Sequence, residues 1–401
     1  MNQLLNEMKQ RGITRIKFMV SDINGHQKFM LIPQNYFEEA VEGIGIDGSS
    51  IPGYTTVDNS DLIAKPDVER AVFLKDEVII FCDVQYNNGT AFGGDPRGIL
   101  KKVLDQGLKT MKNTFYAKPE LEFFLFAGKT PMDTKGYMEY APGLRIVEDA
   151  VATIDVAVER IHHENGPGQY EIEPVIAPAL KACDTIILLK EVLTQAAEEH
   201  QVTANFMPKP LEDEAGSGMH FHVLAEKDGE NLFESFSECA RYFVGGVLAH
   251  ARGITAICNP TINSYKRLVP NFEAPVHITW GRGNRSTLIR IPGGGKTRIE
   301  YRAPDPSCNP YLALAVIIGA GMDGIQKKIE PPEESAEDVF ESETGDTLPA
   351  TLGQAVDILE KDDVVKEILG THLVRAFITL KKKEIFEYTT HISQWEWNHY
   401  H

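Results

Sequence analysis

The sequence lacks any apolar run of the roughly 18 residues needed to span a bilayer. Its longest apolar stretch, Tyr311 to Gly321, reads as a buried helix. The opening residues, MNQLLNEMKQRG, are polar and hold no signal-peptide core. Cysteine is scarce and odd in number: Cys82, Cys183, Cys239, Cys258 and Cys308, with no Cys-x-x-Cys. This pattern argues against a disulfide framework and reads as free thiols in a reducing cytoplasm. Positive charge is also short. The 40 Lys and Arg face 58 Asp and Glu, a net charge of -18. Such a surface repels phosphate backbones and anionic membranes, so neither nucleic acid nor membrane is expected as a partner. Neither a Walker A motif nor Gly-x-Gly-x-x-Gly occurs.

What is present is globular: 42% hydrophobic and 24% charged residues over 401 positions, which excludes a disordered or fibrous chain. The length exceeds one average domain. Residues 1–96 read as a small mixed domain. A helix over Met1 to Gly12 precedes strands at Ile16–Val20 and Lys28–Ile32, which flank the hairpin signal Asn24-Gly25. A turn-rich stretch, Gly43 to Pro66, leads to a strand at Val78–Asp83, and Gly93-Gly94-Asp95-Pro96 punctuates the chain. In residues 97–401, helical spacing of Val147, Ala150, Val151, Ile154, Val158 and Ile161 predicts a helix closed by His162-His163-Glu164. A second helix is expected over Asp184 to His200. Strands are expected at Pro119–Phe126, Gly218–Val223, Ser286–Ile291 and Thr297–Arg302. The acidic stretch Glu330 to Asp346 reads as a surface loop, with helices resuming near Leu352.

Three of these strands place charged residues at alternate positions, hence on one face. They are Glu120 and Glu122, His220 and His222, and the row Arg298, Glu300, Arg302. Phe123, Phe124, Leu125 and Phe126 follow the Glu pair directly, so that strand is expected to be buried on both faces. Buried carboxylates need a cation. The turn Asn-Gly-Pro-Gly-Gln-Tyr can fold Glu171 back beside Glu164. Glu120, Glu122, Glu164, Glu171, Glu300 and His220 form an oxygen-rich donor set. That set suits Mg²⁺ or Mn²⁺, two or more per site, and argues against zinc. Lys266, Arg267, Arg282, Arg285, Arg290, Lys296, Arg298 and Arg302 concentrate positive charge in an acidic chain, where they would hold carboxylate or phosphate. Multiple hard cations beside arginines point to phosphate chemistry. For any single pair, an ordinary ion-pair ladder is the competing explanation.

Seven ordered segments resemble the signature blocks of type I glutamine synthetase, and the likeness covers essentially the whole chain. They include Gly-Ile-Asp-Gly-Ser-Ser-Ile, Lys-Pro-Glu-Leu-Glu-Phe-Phe-Leu, Gly-Ser-Gly-Met-His-Phe-His and Asn-Pro-Thr-Ile-Asn-Ser-Tyr-Lys-Arg-Leu-Val-Pro. The resemblance implies an α+β fold. A small β-grasp-like domain (1–96) would precede a large catalytic domain (97–401) built on an antiparallel sheet flanked by helices. It implies ATP-dependent ligation of ammonia to the γ-carboxylate of L-glutamate through γ-glutamyl phosphate. It also implies a homododecamer of two stacked hexameric rings with active sites between subunits.

By the same resemblance, Glu122, Glu164 and Glu171 would hold one metal, and Glu120, His220 and Glu300 the other. Glu159, His222, Arg285, Arg290 and Arg298 would contact ATP, with Arg290 also stabilising the transferring phosphoryl group. Gly216, Arg267, Arg285 and Arg302 would bind glutamate. Asp47, Ser50, Tyr137 and Glu164 would bind ammonium, Asp47 helping to remove its proton, and Glu273 would act as the flap carboxylate. The sequence departs from the pattern at Ala215, Ile176, Leu224 and Thr56. Phe340 stands near a position where some members carry a modified Tyr, which implies no control by adenylylation. Two alternatives remain at this stage: a γ-glutamyl ligase using a small primary amine or polyamine, and a catalytically dead homologue. The intact Asp47 and Ser50 favour ammonia, and the intact metal ligands favour an enzyme.

Overall fold

A computed structural model describes residues 2–270, 273–340, 342 and 345–401. The first helix runs Asn2–Gln10, and Met1 lies outside the described residues. Six strands follow: β1 Arg15–Ser21, β2 Gln27–Ile32, β3 Ile44–Asp47, β4 Asp61–Pro66, β5 Val72–Phe73 and β6 Glu77–Tyr86. They pair in the order β2-β1-β6-β4-β3, with β5 on β6 and β1 parallel to β6. The expected hairpin joins β1 and β2, and Gly25 turns there with φ +86°. A Cβ at Gly25 would sit 3.1 Å from Asn309 Cα, so this turn touches the second domain. Alternation along β1 and β6 explains how the sheet is buried twice. Phe18, Val20, Val78 and Ile80 fill the domain's own core, while Met19, Ile79 and Phe81 join the core of the larger domain.

Arg97 pins this junction. It is buried in the first turn of the helix Pro96–Met111 and capped there by Asp95. Its Nη1 donates to Asp83 at 2.6 Å, its Nη2 to Asp67 at 3.0 Å and its Nε to Asp184 at 3.2 Å. Tyr311 Oη donates to the same Asp184 oxygen at 2.6 Å. Three acids from both domains thus share one guanidinium, an arrangement that offsets the cost of burying it.

The larger domain carries β7 Thr114–Ala127, β8 Thr130–Pro131, β9 Val158–His163, β10 Gln169–Pro174, β11 Ala177–Pro178, β12 Thr203–Asn205, β13 Met219–Lys227, β14 Glu230–Asn231, β15 Trp280–Arg282, β16 Ile289–Ile291 and β17 Ile299–Tyr301. Its main path is β15-β16-β17-β13-β7-β10-β9, antiparallel except for the parallel pair β15–β16. Helices Pro96–Met111 and Ala179–Glu199 pack on β7, and the apolar helix Pro310–Lys327 packs on both of them. Leu121, Phe123 and Leu125 of β7 point into that core. The period of two therefore turns Glu120 and Glu122 to the other face.

Two regions depart from expectation: the stretch Gly43 to Pro66, read as turns, also carries β3 and β4, and one predicted helix is cut short. The helix predicted through Ile161 stops at Val151, and residues 158–163 form β9 instead. His162-His163-Glu164 therefore ends a strand rather than a helix. Apolar spacing alone fits both forms here. β-branched Val156, Val158 and Ile161 favour the strand, and antiparallel pairing with β10 (Ile161 opposite Ile172) decides it. The described residues of the acidic segment 330–346 are irregular, as expected, and are tied down where Trp280 Nε1 donates to Pro332 O at 2.8 Å. Glu341, Glu343 and Thr344 of that segment lie outside the described residues, as do Asn271 and Phe272 beside Glu273. Among the described residues no helix is long and apolar enough to cross a membrane.

Candidate active site

Four neighbouring strands and the turn after β9 bring the charged residues together. Strand register sets His220 opposite Glu120, Glu171 opposite Glu122, and His222 opposite Glu300. His220 Nδ1 lies 3.1 Å from Glu120 Oε2 and 3.5 Å from Glu300 Oε1. His222 Nε2 lies 2.7 Å from Glu120 Oε1. On the β9–β10 side, Glu164 N donates to Gln169 O at 2.8 Å, and this turn folds Glu164 beside Glu171. His162 stands between them, 3.3 Å from Glu171 Oε2 and 3.5 Å from Glu164 Oε1. Glu122 accepts from Gly218 N at 2.7 Å.

Three groups of donors converge closely enough to hold a cation: Glu120–His220–Glu300, His162–Glu164–Glu171 and Glu120–Glu171–Glu173. The first matches an expected trio. In the second, His162 takes the place expected for Glu122, which lies beside that trio on the cavity wall. Carboxylate oxygens with imidazole nitrogen are donors suited to Mg²⁺ or Mn²⁺.

Electrostatics polarises these acids. Burial alone would raise the pKa of Glu120, but His222 and His220 outweigh it and hold the group well below the usual range. Burial and the nearby Glu164 push Glu122 up to about 8. Burial, with Glu120 and Glu122, pushes Glu171 well up. Two of the carboxylates are therefore stressed by their neighbours, and a divalent cation would relieve that stress.

These residues open onto a cavity of about 400 Å³. Glu120, Glu122, Tyr137, Glu164, Glu171, His220, Glu273, Arg285 and Arg302 line it. A larger cavity, about 680 Å³, lies between the β1–β2 turn and the helix Ala179–Glu199, and it contains none of this acidic cluster. Arg290 reaches the site through an ion pair with Glu300, and Arg302 Nε lies 3.3 Å from the same carboxylate. Arg267 is buried behind the wall, where its Nη1 donates to Ala303 O at 2.7 Å. It presses so closely on Gly216 that a Cβ there would meet Arg267 Cγ at 2.8 Å. Glu273 accepts from Asn165 Nδ2 at 2.7 Å.

Other expected residues lie elsewhere. Glu159 is largely exposed and pairs with Lys118 at 2.8 Å, while Arg298 is half-buried and donates to Gly294 O at 3.2 Å. Arg282 and Lys296 pair with Glu334 and Glu226, so for these two the ion-pair reading prevails. Asp47 and Ser50 sit on the small domain, exposed, with Ser50 Oγ donating to Asp47 at 2.6 Å. Among the described residues nothing joins them to the cavity. Sequence reasoning missed His162, Arg160, Asn165 and Phe340 in the wall. The signal for His162 was its position two before Glu164, which the helix assignment concealed. Tyr137 lines the cavity, whereas its neighbour Tyr140 does not.

Comparison with known proteins identifies the family of both domains. Residues 12–87 match the glutamine synthetase beta-Grasp domain family, and residues 93–400 match the glutamine synthetase catalytic domain family. The glutamine synthetase of Pyrococcus abyssi is 42% identical over 437 aligned positions covering 99% of each chain. That of Thermus thermophilus is 39% identical, covering 99% of this chain and 98% of the other. A solved GmaS–ADP complex superposes with a TM-score of 0.93 at 31% identity, over 99% of this chain and 98% of that one. The Plasmodium falciparum glutamine synthetase gives 0.89 at 25% identity, over 100% and 98%. With both domain families matched in order over nearly all of its length, the chain belongs to the glutamine synthetase family, whose reaction class is glutamate–ammonia ligation.

Proposed function

We propose that this chain joins ammonia to the γ-carboxylate of L-glutamate, driven by ATP, through γ-glutamyl phosphate. A γ-carboxylate oxygen attacks the terminal phosphorus of ATP and ADP leaves. Ammonia then attacks the acyl carbon and phosphate leaves, giving glutamine. The observation that supports this most directly is the acidic cage, with His220 and the arginines, opening into one cavity.

Glu120, His220 and Glu300 would hold one divalent cation, and Glu122, Glu164 and Glu171 a second, with His162 beside them. Bound there, Mg²⁺ or Mn²⁺ would neutralise the phosphate oxygens of the nucleotide. Arg285, Arg290 and Arg298 would orient those phosphates, and His222 and Glu159 the nucleotide. Arg267, Arg302 and Arg285, with the backbone at Gly216, would grip glutamate, because a guanidinium binds a carboxylate with two bonds. Glu273, raised in pKa by burial and by Glu164, suits a flap that excludes water from an acyl phosphate and accepts a proton.

Asp47 is held below the usual range by hydrogen bonds from Ser49 and Ser50, so it stays anionic and suits ammonium. It stands apart from the cavity within one chain. A neighbouring copy would therefore bring its Asp47 and Ser50 to complete the pocket of Tyr137 and Glu164. A dodecamer of two hexameric rings, in a reducing cytoplasm, is the assembly and setting this reading carries.

The decisive assay is phosphate release with ATP, Mg²⁺ and glutamate, comparing ammonium with methylamine, ethanolamine and a polyamine. Ammonium is expected to give the highest kcat/KM. Turnover with an amine and not with ammonium would instead establish the γ-glutamyl amide ligase reading.

A further inference from the structure

His163 touches no part of the cavity, yet two parts of the wall hang from it. It is the last residue of β9 and fully buried. Its Nδ1 lies 2.6 Å from the backbone oxygen of Glu164, the next residue. Its Nε2 lies 2.8 Å from Asp133 Oδ1, and the other Asp133 oxygen accepts from Tyr170 Oη. Each ring nitrogen thus has an oxygen within hydrogen-bond distance, and the ring cannot rotate without losing both contacts. Its backbone oxygen accepts from Met138 N at 2.9 Å.

That last bond fixes the irregular segment after β8, which delivers Tyr137 to the cavity. The segment is anchored at both ends by the same group. Asp133 Oδ1 also accepts from Lys135 N at 2.9 Å, and Met138 is held in the left-handed region with φ +60°. A methionine adopts that conformation only where surrounding bonds over-determine it. The clamp is built into the fold as well. Gly143 has no Cβ, and one placed there would meet Tyr170 Oη at 2.3 Å. Tyr137 finally stands edge-on to the His162 ring, 5.5 Å between centroids.

We propose that Asp133, His163 and Tyr170 are positioning residues that set the width of the acceptor pocket and so select ammonium over alkylated amines. This rests on the reading above, in which Tyr137 and Glu164 are this chain's contribution to that pocket. A pocket sized for ammonium excludes a methyl group by contact. Release of the clamp lets Tyr137 and Glu164 separate, weakening the small cation and admitting the larger one. The arginines and Gly216, which would grip phosphate and glutamate, lie on other elements, whereas Glu159 and the metal ligand Glu164 share the clamp's strand and turn.

The test is steady-state kinetics of the full-length enzyme carrying Asp133→Ala, Asp133→Asn or Tyr170→Phe. In Asp133→Ala the KM for ammonium is expected to rise about tenfold, the scale of a lost supporting hydrogen bond, with the KM for glutamate and ATP rising clearly less. The methylamine-to-ammonium ratio of kcat/KM should rise severalfold. Asp133→Asn still accepts from the imidazole and should recover most of the loss. If Asp133→Ala does not fold, Tyr170→Phe removes one hydroxyl and should shift the same two quantities in the same direction, to a smaller extent. Equal rises in all three KM values, or an unmoved ammonium KM and ratio, overturn the clamp. A wild type that uses an amine but not ammonium overturns the acceptor in the function reading and, with it, the selection of ammonium proposed here. A wild type with no acceptor turnover overturns both.

Discussion

His250 shows how much one side chain can tie together. It precedes the helix Ala251–Cys258, and its Nδ1 lies 3.0 Å from Asp362 while its Nε2 lies 3.2 Å from Asp323 on the helix Pro310–Lys327. Hydrogen bonding to the Asp362 carboxylate, acting against burial, raises its pKa above 6.5. A raised folded-state value stabilises fully below the unfolded pKa, and the contribution is lost as pH rises through the folded value. His250→Gln should therefore cost about 1–2 kcal/mol near pH 6, the scale of a charged hydrogen bond, and less near pH 9. Urea unfolding at the two pH values measures it, and an equal cost at both would refute the assignment. No sequence pattern announces this trio, because His250 and Asp362 are 112 positions apart. Glu120, Glu122, His220 and His222 were legible because alternation along a strand is local. Arg97 was not, since its acids come from three separate elements.

The sheet does at the scale of elements what no single residue can. It holds acidic side chains of β7, β10 and β17 within reach of one another, and the strain shows at Glu122, whose pKa is pushed up to about 8 by burial and Glu164. Without a cation much of that carboxyl binds a proton at neutral pH. Metal binding must displace it, so Mn²⁺ affinity should rise with pH through about 8, with proton release on binding. Calorimetric titrations in buffers of differing ionisation enthalpy measure both, and an affinity flat between pH 6.5 and pH 8.5 would contradict it. The strands that carry the cage were readable from alternation and β-branching. The failure at 147–161 has a physical cause: six apolar positions fit two periodicities, and only the partner strand β10 separates them. The convergence of four such strands is a property of topology, and it entered the sequence reading through family resemblance rather than through spacing.

For the whole molecule, the Asp47 corner and the acidic cavity lie on different domains and share no contact among the described residues. If neighbouring copies complete each other, Asp47→Ala and Glu300→Ala chains, each inactive alone, should regain activity when denatured and refolded together. About a quarter of the heterologous contacts in a randomly mixed ring pair two intact halves, so recovery should approach that fraction. No recovery in mixed rings of native size would place both residues in a single-chain site. The order of the two domains was legible from length, turn punctuation and the seven blocks. The seam between them was not.

That seam limits how the enzyme can breathe. A guanidinium enclosed at Arg97 grips acids from either side, and Gly25 lies almost backbone to backbone against Asn309. Swinging one domain away would strand a charge in a dry interior, at a cost of several kcal/mol. The two lobes are therefore expected to travel as one rigid block.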